Sequence, residues 1–573
     1  MKRLLPLVLL LGCSTPPAPA PTPTPAPEAT PAPSPTPAPP STGLRFEVKS
    51  SASFTQSAGR HAERWLPETM GSGVAIIDVD RNGAPDLLFV DSGSVADDRP
   101  ATAGPKLFLG DGRGGFADAT EAWGLSHVDY GMGIAAGDVD NDGWIDIYLT
   151  TFGGADRLLR NVDGTRFEDV TAAWGITPTG WTTSAAFLDL ENDGDLDLYA
   201  LRYVTYDPAE ALKCWFRTIH VYCTPALYEA QTDLLWRNDG GRFVDTSAAI
   251  ASSFGKGLAL GTADLDGDGD TDVYVANDIS RNLLMLNDGK GGFEETAQIA
   301  GVAYSELGRE EASMGVAISD VDGDGRQDLA VTNFQGESTS LHMQGEHGLY
   351  DERSDSAGVG ITARARLGFG VEFLDADNDG DEELLTANGH ITDNVGEYRD
   401  GVSFAQTNSL YENLGGGRMK DVSAGAGPAL AAEHVSRGLA VGDLDGDGGL
   451  DFVFVNNEGP AQIGGNASAR GHWLNLWLEG TTANRSAIGA VVTATIGDRT
   501  LVREVRGASS YLSVSDRRIH LGLGDATQVD TLTIRWPGGP EQTLTGVAGD
   551  RFVRIVQGAE PSEYTPGAAT IAP

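Results

Sequence analysis

Seven times between residues 78 and 451 the chain repeats a nine-residue acidic loop, and this recurrence restricts its fold more than any other feature. The loops begin at Asp78, Asp138, Asp189, Asp264, Asp320, Asp375 and Asp443, at intervals of 60, 51, 75, 56, 55 and 68 residues. Each interval has room for a four-stranded sheet with its turns. A small-residue apolar segment precedes each loop, as in 131–137, and a strand-like run follows it, as in 146–150 or 272–276. A second strand pair around a Gly, Asn or Asp turn comes later in most units, as in 234–243 and 283–293. One such unit cannot bury both faces of its sheet, so the units must stack, and a closed ring leaves no long open edge. The expectation is an all-β fold: a seven-bladed β-propeller over 43–470, in which 43–53 supplies a strand that closes the ring on the last unit.

Carboxylates occupy places one, three, five and nine of these loops, except that Asn82 stands at place five of the first. The candidate metal ligands are Asp78, Asp80, Asn82 and Asp86; Asp138, Asp140, Asp142 and Asp146; Asp189, Glu191, Asp193 and Asp197; and Asp264, Asp266, Asp268 and Asp272. They continue with Asp320, Asp322, Asp324 and Asp328; Asp375, Asp377, Asp379 and Glu383; and Asp443, Asp445, Asp447 and Asp451. Alternate oxygen-bearing side chains on a tightly curled segment suit calcium, which takes six to eight hard oxygen ligands, and glycine at place six permits the left-handed turn. An EF-hand shares this opening but needs Glu at place twelve. Here that place holds Phe89, Leu149, Ala200, Val275, Val331, Thr386 and Phe454, so the loops join strands. Up to seven calcium ions are expected. They would move the formal charge from −42 to −28 and relieve crowding of like charge. Magnesium keeps its waters and suits such cages poorly.

The chain has 82 acidic against 40 basic residues and no basic patch, which argues against nucleic acid as a partner. At the N-terminus Lys2 and Arg3 lead into an apolar run from Leu4 to Leu11, too short to span a bilayer. Residues 10–13 resemble a bacterial lipobox, which implies a signal peptide over 1–12 and lipidation of Cys13 as the sole membrane attachment. Ser14 implies sorting to the outer membrane by the same resemblance. Residues 13–42, rich in Pro, Ala and Thr, read as an extended tether. Cys214 and Cys223 then remain, an even pair in an oxidising compartment, and one disulfide is expected, pinning an outward loop. A thiolate metal site would need further ligands that the sequence does not place nearby.

After about residue 470 the repeat stops. Alternating strands over 473–478, 490–495 and 531–536 indicate a small β-sandwich-like domain over 471–557, and 558–573 reads as a disordered tail. The loops and their spacing resemble the FG-GAP/VCBS repeats of integrin α-like propellers. Residues 66–73, 388–390 and the segment around Cys214 and Cys223 are similar to proteins related to cartilage acidic protein. Residues 484–490, 503–511 and 535–537 are similar to the ASPIC/UnbV domain. The resemblance implies calcium binding and a cell-surface role rather than a reaction. It also implies that the loops share one rim, leaving the opposite rim or the terminal domain for a ligand.

The leading functional expectation is therefore a non-enzymatic, monomeric binding or adhesion module for an extracellular protein or glycan. Trp473, Trp477, Tyr511 and Trp536 could stack on sugars, although strand alternation favours core packing. The alternatives are an enzyme using the central funnel, with His342, Glu372 or His390 as its available groups, and a solely structural envelope protein.

Overall fold

The computed structural model describes residues 43–49, 52–96, 104–125, 130–154, 156–250 and 254–572. Cys13 and the proposed leader and tether lie outside them. Seven four-stranded antiparallel sheets follow one another along the chain. Blade 1 consists of Val74–Ile77, Asp86–Phe89, Lys106–Gly110 and Phe116–Asp118, from the innermost strand outward. Blades 2 to 6 repeat the plan from innermost strands Tyr130–Gly137, Thr182–Leu188, Gly257–Ala263, Val316–Ser319 and Gly368–Leu374. Blade 7 has three consecutive strands, Ser436–Gly442, Asp451–Asn456 and Gln462–Asn466. Its fourth comes from the other end of the chain, where Phe46–Lys49 pairs antiparallel with Gln462–Asn466, Phe46 opposite Asn466. The innermost strands of blades 7 and 1 pack together like every other neighbouring pair, so the ring is closed. This is the seven-bladed propeller expected from the repeats.

The remaining chain forms two four-stranded sheets. One contains His472–Glu479, Ile519–Gly524, Arg551–Val556 and Ser562–Tyr564. The other contains Val491–Ile496, Arg499–Glu504, Gln528–Arg535 and Glu541–Ala548. Their apolar core, with Leu474, Leu476, Val492, Leu532 and Trp536, is continuous with Phe187, Leu196 and Trp236 of the propeller.

A twelve-residue excursion of this domain, 505–516, enters the central channel. There it bonds to the innermost strands: Val514 N donates to Val74 O (2.9 Å), Ile76 N to Val514 O (2.9 Å), Ile134 N to Leu512 O (3.2 Å) and Val316 N to Ser510 O (3.0 Å). Backbone fits against backbone only because side chains are missing at the contact. A Cβ on Gly73 would lie 1.7 Å from Leu512 O.

Two expectations need correction. The expected disordered tail over 558–573 is ordered in its described part, 558–572: Ser562–Tyr564 adds a strand to the terminal domain, Gly567 N donates to Asn82 O (3.0 Å), and Ile571 N donates to Arg81 O (2.6 Å). The sequence misleads because this segment is held by backbone bonds to a distant loop rather than by an apolar pattern of its own. The cysteine loop of blade 3 carries the Cys214–Cys223 disulfide, as expected, but it does not simply project outward. It folds back over the ring, burying Tyr222 and Cys223, with the Tyr222 hydroxyl donating to Glu68 (2.9 Å) and His220 O accepting from Asn394 (3.1 Å).

Candidate metal centres

Each acidic loop joins the first strand of its blade to the second. Residues at place four (Arg81, Asn141, Asn192, Gly267, Gly323, Asn378 and Gly446) and glycines at place six all have positive φ, which curls the segment on itself. The place-five side chain accepts from the backbone N–H two residues on in all seven loops, from Ala84 to Asn82 (2.7 Å) through Gly449 to Asp447 (2.9 Å). In six loops the place-one carboxylate accepts from the place-six N–H, as Gly143 to Asp138 (2.7 Å). Short polar side chains are here because they satisfy backbone donors that the tight turn leaves unpaired.

Place nine opens the second strand, where its buried carboxylate takes one N–H from the loop and one from the third strand. Asp146 accepts from Val139 (3.0 Å) and Asn161 (2.7 Å), and Asp272 from Leu265 (2.7 Å) and Asn287 (2.8 Å). A carboxylate offers about four lone-pair positions, so these bonds leave capacity for a cation. Oxygens of places one, three and nine lie within 4.8 Å of one another in Asp78/Asp80/Asp86, Asp138/Asp140/Asp146, Asp264/Asp266/Asp272, Asp320/Asp322/Asp328 and Asp375/Asp377/Glu383. Oxygens sharing a calcium ion at about 2.3–2.6 Å each can be no further apart than about 5 Å, so the groups fit. Place five does not join these groups; its turn bond holds it elsewhere. Asp320 Oδ1 and Asp445 Oδ1 are buried with no hydrogen-bond donor, as a cation ligand would be.

Burial, reinforced by neighbouring carboxylates, pushes Asp138 and Asp189 up to about 7 and Asp272 to about 9. Asp86, Asp146, Glu383 and Asp451 are likewise raised well above the ordinary carboxylate range, burial being the main cause. Without a counter-charge these loops resist ionisation, and a divalent cation supplies it. Ion pairs already give partial compensation in five of the loops, those beginning at Asp138, Asp189, Asp264, Asp320 and Asp443. Arg160 binds Asp140 (2.6 Å) and Asp142 (2.7 Å), and Arg535 of the terminal domain binds Asp264 (2.5 Å).

A further set of residues was not anticipated. At or next to the last residue of the third strands of blades 2 to 7 stand Asn161, Asn238, Asn287, Gln344, Asn413 and Asn466. Each side-chain amide donates to the place-two carbonyl of the preceding blade's loop, as Asn161 to Val79 (2.9 Å) and Asn413 to Val321 (3.0 Å). The matching place in blade 1 is Gly110, which has no amide to give. A polar amide closing each third strand of blades 2 to 7 is visible in the sequence, but its partner one blade back is not.

The terminal domain covers the rim that bears the loops. Ser486 accepts from Asp138 N (2.9 Å), Glu504 from Asp264 N (3.2 Å), and Arg81 pairs with buried Glu479 (2.8 Å). Trp536 and Tyr511 are fully buried, Trp473 packs on His520 and Phe552, and Trp477 lies against Arg81 and Arg554, so packing occupies all four aromatics. The three candidate catalytic groups are separate. Glu372 sits beneath the channel excursion, accepting from Ser509 and Ser515, buried His342 belongs to the third strand of blade 5, and His390 lies at the far end of the channel.

Comparison with known proteins agrees with this division. FG-GAP-like repeats match over 78–149, 138–200, 221–275 and 264–331, and ASPIC and UnbV over 480–562. The chain carries FG-GAP-like repeats and an ASPIC/UnbV domain. The channel excursion therefore belongs to the ASPIC/UnbV segment. Cartilage acidic protein 1 of Mus musculus is 26% identical over 451 residues, covering 75% of this chain and 65% of the relative. That of Homo sapiens is 26% identical over 444 residues, covering 73% and 62%. The match thus spans less than two thirds of these relatives. Similar solved structures include the BP39L lectin of Burkholderia pseudomallei (12% identity, TM-score 0.43, covering 70% of this chain and 96% of that one). An Agrocybe aegerita lectin that recognises non-reducing terminal N-acetylglucosamine has 14% identity and a TM-score of 0.36, covering 61% and 79%.

Proposed function

We propose that the chain is a calcium-stabilised, non-enzymatic binding or adhesion module, held at the bacterial outer membrane through Cys13, that engages an extracellular protein or glycan with the rim opposite its acidic loops. The observation that carries this reading is the unequal use of the two rims. The loop rim is covered by the terminal domain, whereas the disulfide-pinned excursion on the other rim exposes Leu212, Trp215, Phe216 and Leu227. Exposed apolar residues gathered on one braced segment are a usual mark of an interaction surface. Calcium in this reading is structural: it holds the loops and, through them, the blades. The separation of His342, Glu372 and His390 supports a binding role over a funnel enzyme, as does the occupation of the channel by 505–516.

The test is a glycan and extracellular-matrix array probed with the calcium-loaded protein, with and without chelator, alongside the Trp215→Ala/Phe216→Ala variant. Saturable binding that falls with either treatment is expected. Turnover of a substrate with no binding to the array would overturn the reading. Calorimetric titration should count close to seven calcium ions, and two or fewer would refute the assignment of most loops. Cys13→Ser should release the protein from the membrane fraction.

A further inference from the structure

At the end of the channel away from the acidic loops lies a cavity of about 380 Å3. Its walls come from the starts of innermost strands, the ends of second strands, the segment before blade 1, and the disulfide loop. Leu66, Met70, Leu258, Met314, Phe334 and Phe369 make it largely apolar. Its volume lies within the range of small-molecule sites.

The buried polar groups in this wall are nearly all engaged. Asp278 accepts from the Tyr203 hydroxyl (2.6 Å), and Glu337 accepts from the backbone N–H groups of Ala312 (3.0 Å) and Phe334 (3.1 Å). Behind the wall, buried Arg437 spends its guanidinium on the carbonyls of Thr69, Gly389, Ser436 and His390. The exception is His390. Its ring is 98% buried and meets Phe334 edge to face, and its Nδ1 accepts from Thr392 N (3.0 Å). A neutral imidazole whose Nδ1 accepts must carry its proton on Nε2. Burial, with Arg437 and Arg399 nearby, keeps the ring neutral by lowering its pKa to about 4. Nε2 is therefore an N–H donor, and among the described residues lining the cavity it is the buried side-chain polar atom without a partner.

We propose that this cavity is a binding site for a small, uncharged, mainly apolar molecule bearing one accepting oxygen, a ketone, ester or lactone carbonyl, which His390 Nε2–H engages. An orphaned buried donor costs free energy that an accepting ligand returns, and the largely apolar lining favours an uncharged one. The site is distinct from the exposed disulfide-loop surface and does not depend on adhesion.

The test uses two probes of nearly equal shape, 2-acetylnaphthalene and 2-ethylnaphthalene, titrated into the full calcium-loaded protein. The ketone should bind about three- to tenfold more tightly, the margin of one hydrogen bond. It should also shift the His390 Nε2 resonance in nitrogen-15 spectra, where the hydrocarbon does not. His390→Leu should bring the two affinities within about twofold, and Met314→Trp, which fills the cavity, should abolish both. Equal affinities in the unaltered protein, or no binding of either probe up to its solubility limit, would overturn the proposal. If the variants do not fold, the wild-type affinity ratio and the nitrogen shift decide. Failure on the glycan array with the ketone preference intact would sink the adhesive reading alone.

Discussion

Removing calcium should invert the pH dependence of stability between pH 7 and 5. Asp272 shows why. It is fully enclosed, and burial raises its carboxyl from 3.8 to about 9, with Asp266 and Asp264 adding to the effect and two backbone N–H bonds opposing it. Between those values the calcium-free native protein holds a proton that the unfolded chain has lost. Stability then falls as pH rises, by about 1.4 kcal/mol per unit for one group. Acidifying from pH 7 to 5 should therefore return about 2.7 kcal/mol through Asp272. Asp197, also raised to about 9, should return a similar amount. For a body of about 500 residues the melting entropy is about 1 kcal/mol per kelvin, so the midpoint should rise by about 5 °C. With calcium saturating, protons compete with the ion for the same oxygens, and the midpoint should fall over this interval. Scanning calorimetry of desalted and calcium-loaded protein at pH 7, 6 and 5 measures both slopes. A calcium-free midpoint that stays level or drops on acidification would refute the argument that these carboxylates are strained until a cation arrives.

Asn413→Ala removes an amide that serves Val321 O and Glu382 O and leaves both carbonyls to find other partners, which should cost about 2–3 kcal/mol in urea unfolding. A loss under 0.5 kcal/mol would mean that the bonds between blades carry little. Gly73→Ala places a methyl against Leu512 O and should cost at least about 2 kcal/mol while speeding proteolysis within 505–516. Unchanged cleavage would argue that the excursion is not seated through this contact. Truncation after Gly558 deletes the last strand and the bonds to Arg81 and Asn82, and should lower the calcium-loaded midpoint more than it alters ion count.

The blades could be read from sequence because each loop carries its own punctuation: glycine at place six, spaced carboxylates, and a strand signal such as Asp272–Asn277 directly after. Local rules suffice for such features. What escaped depends on contacts far apart in sequence. Residues 505–511 show a polar, small-residue pattern suited to a surface loop, yet Tyr511 is fully buried because backbone groups of several blades converge on it. Place nine looked like a ligand alone, whereas Asp146 also ties the loop to the third strand through two N–H groups. The left-handed backbone at place four was signalled by Asn or Gly in six loops and hidden by Arg81 in the first.

The joint between blades 7 and 1, where Gly110 supplies no amide, is secured by both ends of the folded body. Phe46–Lys49 enters blade 7, and the final segment crosses above: a Cβ on Gly112 would fall 2.7 Å from Pro566, and one on Gly446 3.8 Å from it. During synthesis Phe46 emerges early and must wait for Asn466 before it has a strand partner. A copy cut short ahead of that point retains a bare strand edge, the kind of surface that chaperones and proteases recognise. Closure of the circle thereby couples the first strand of the folded body to a segment more than four hundred residues later.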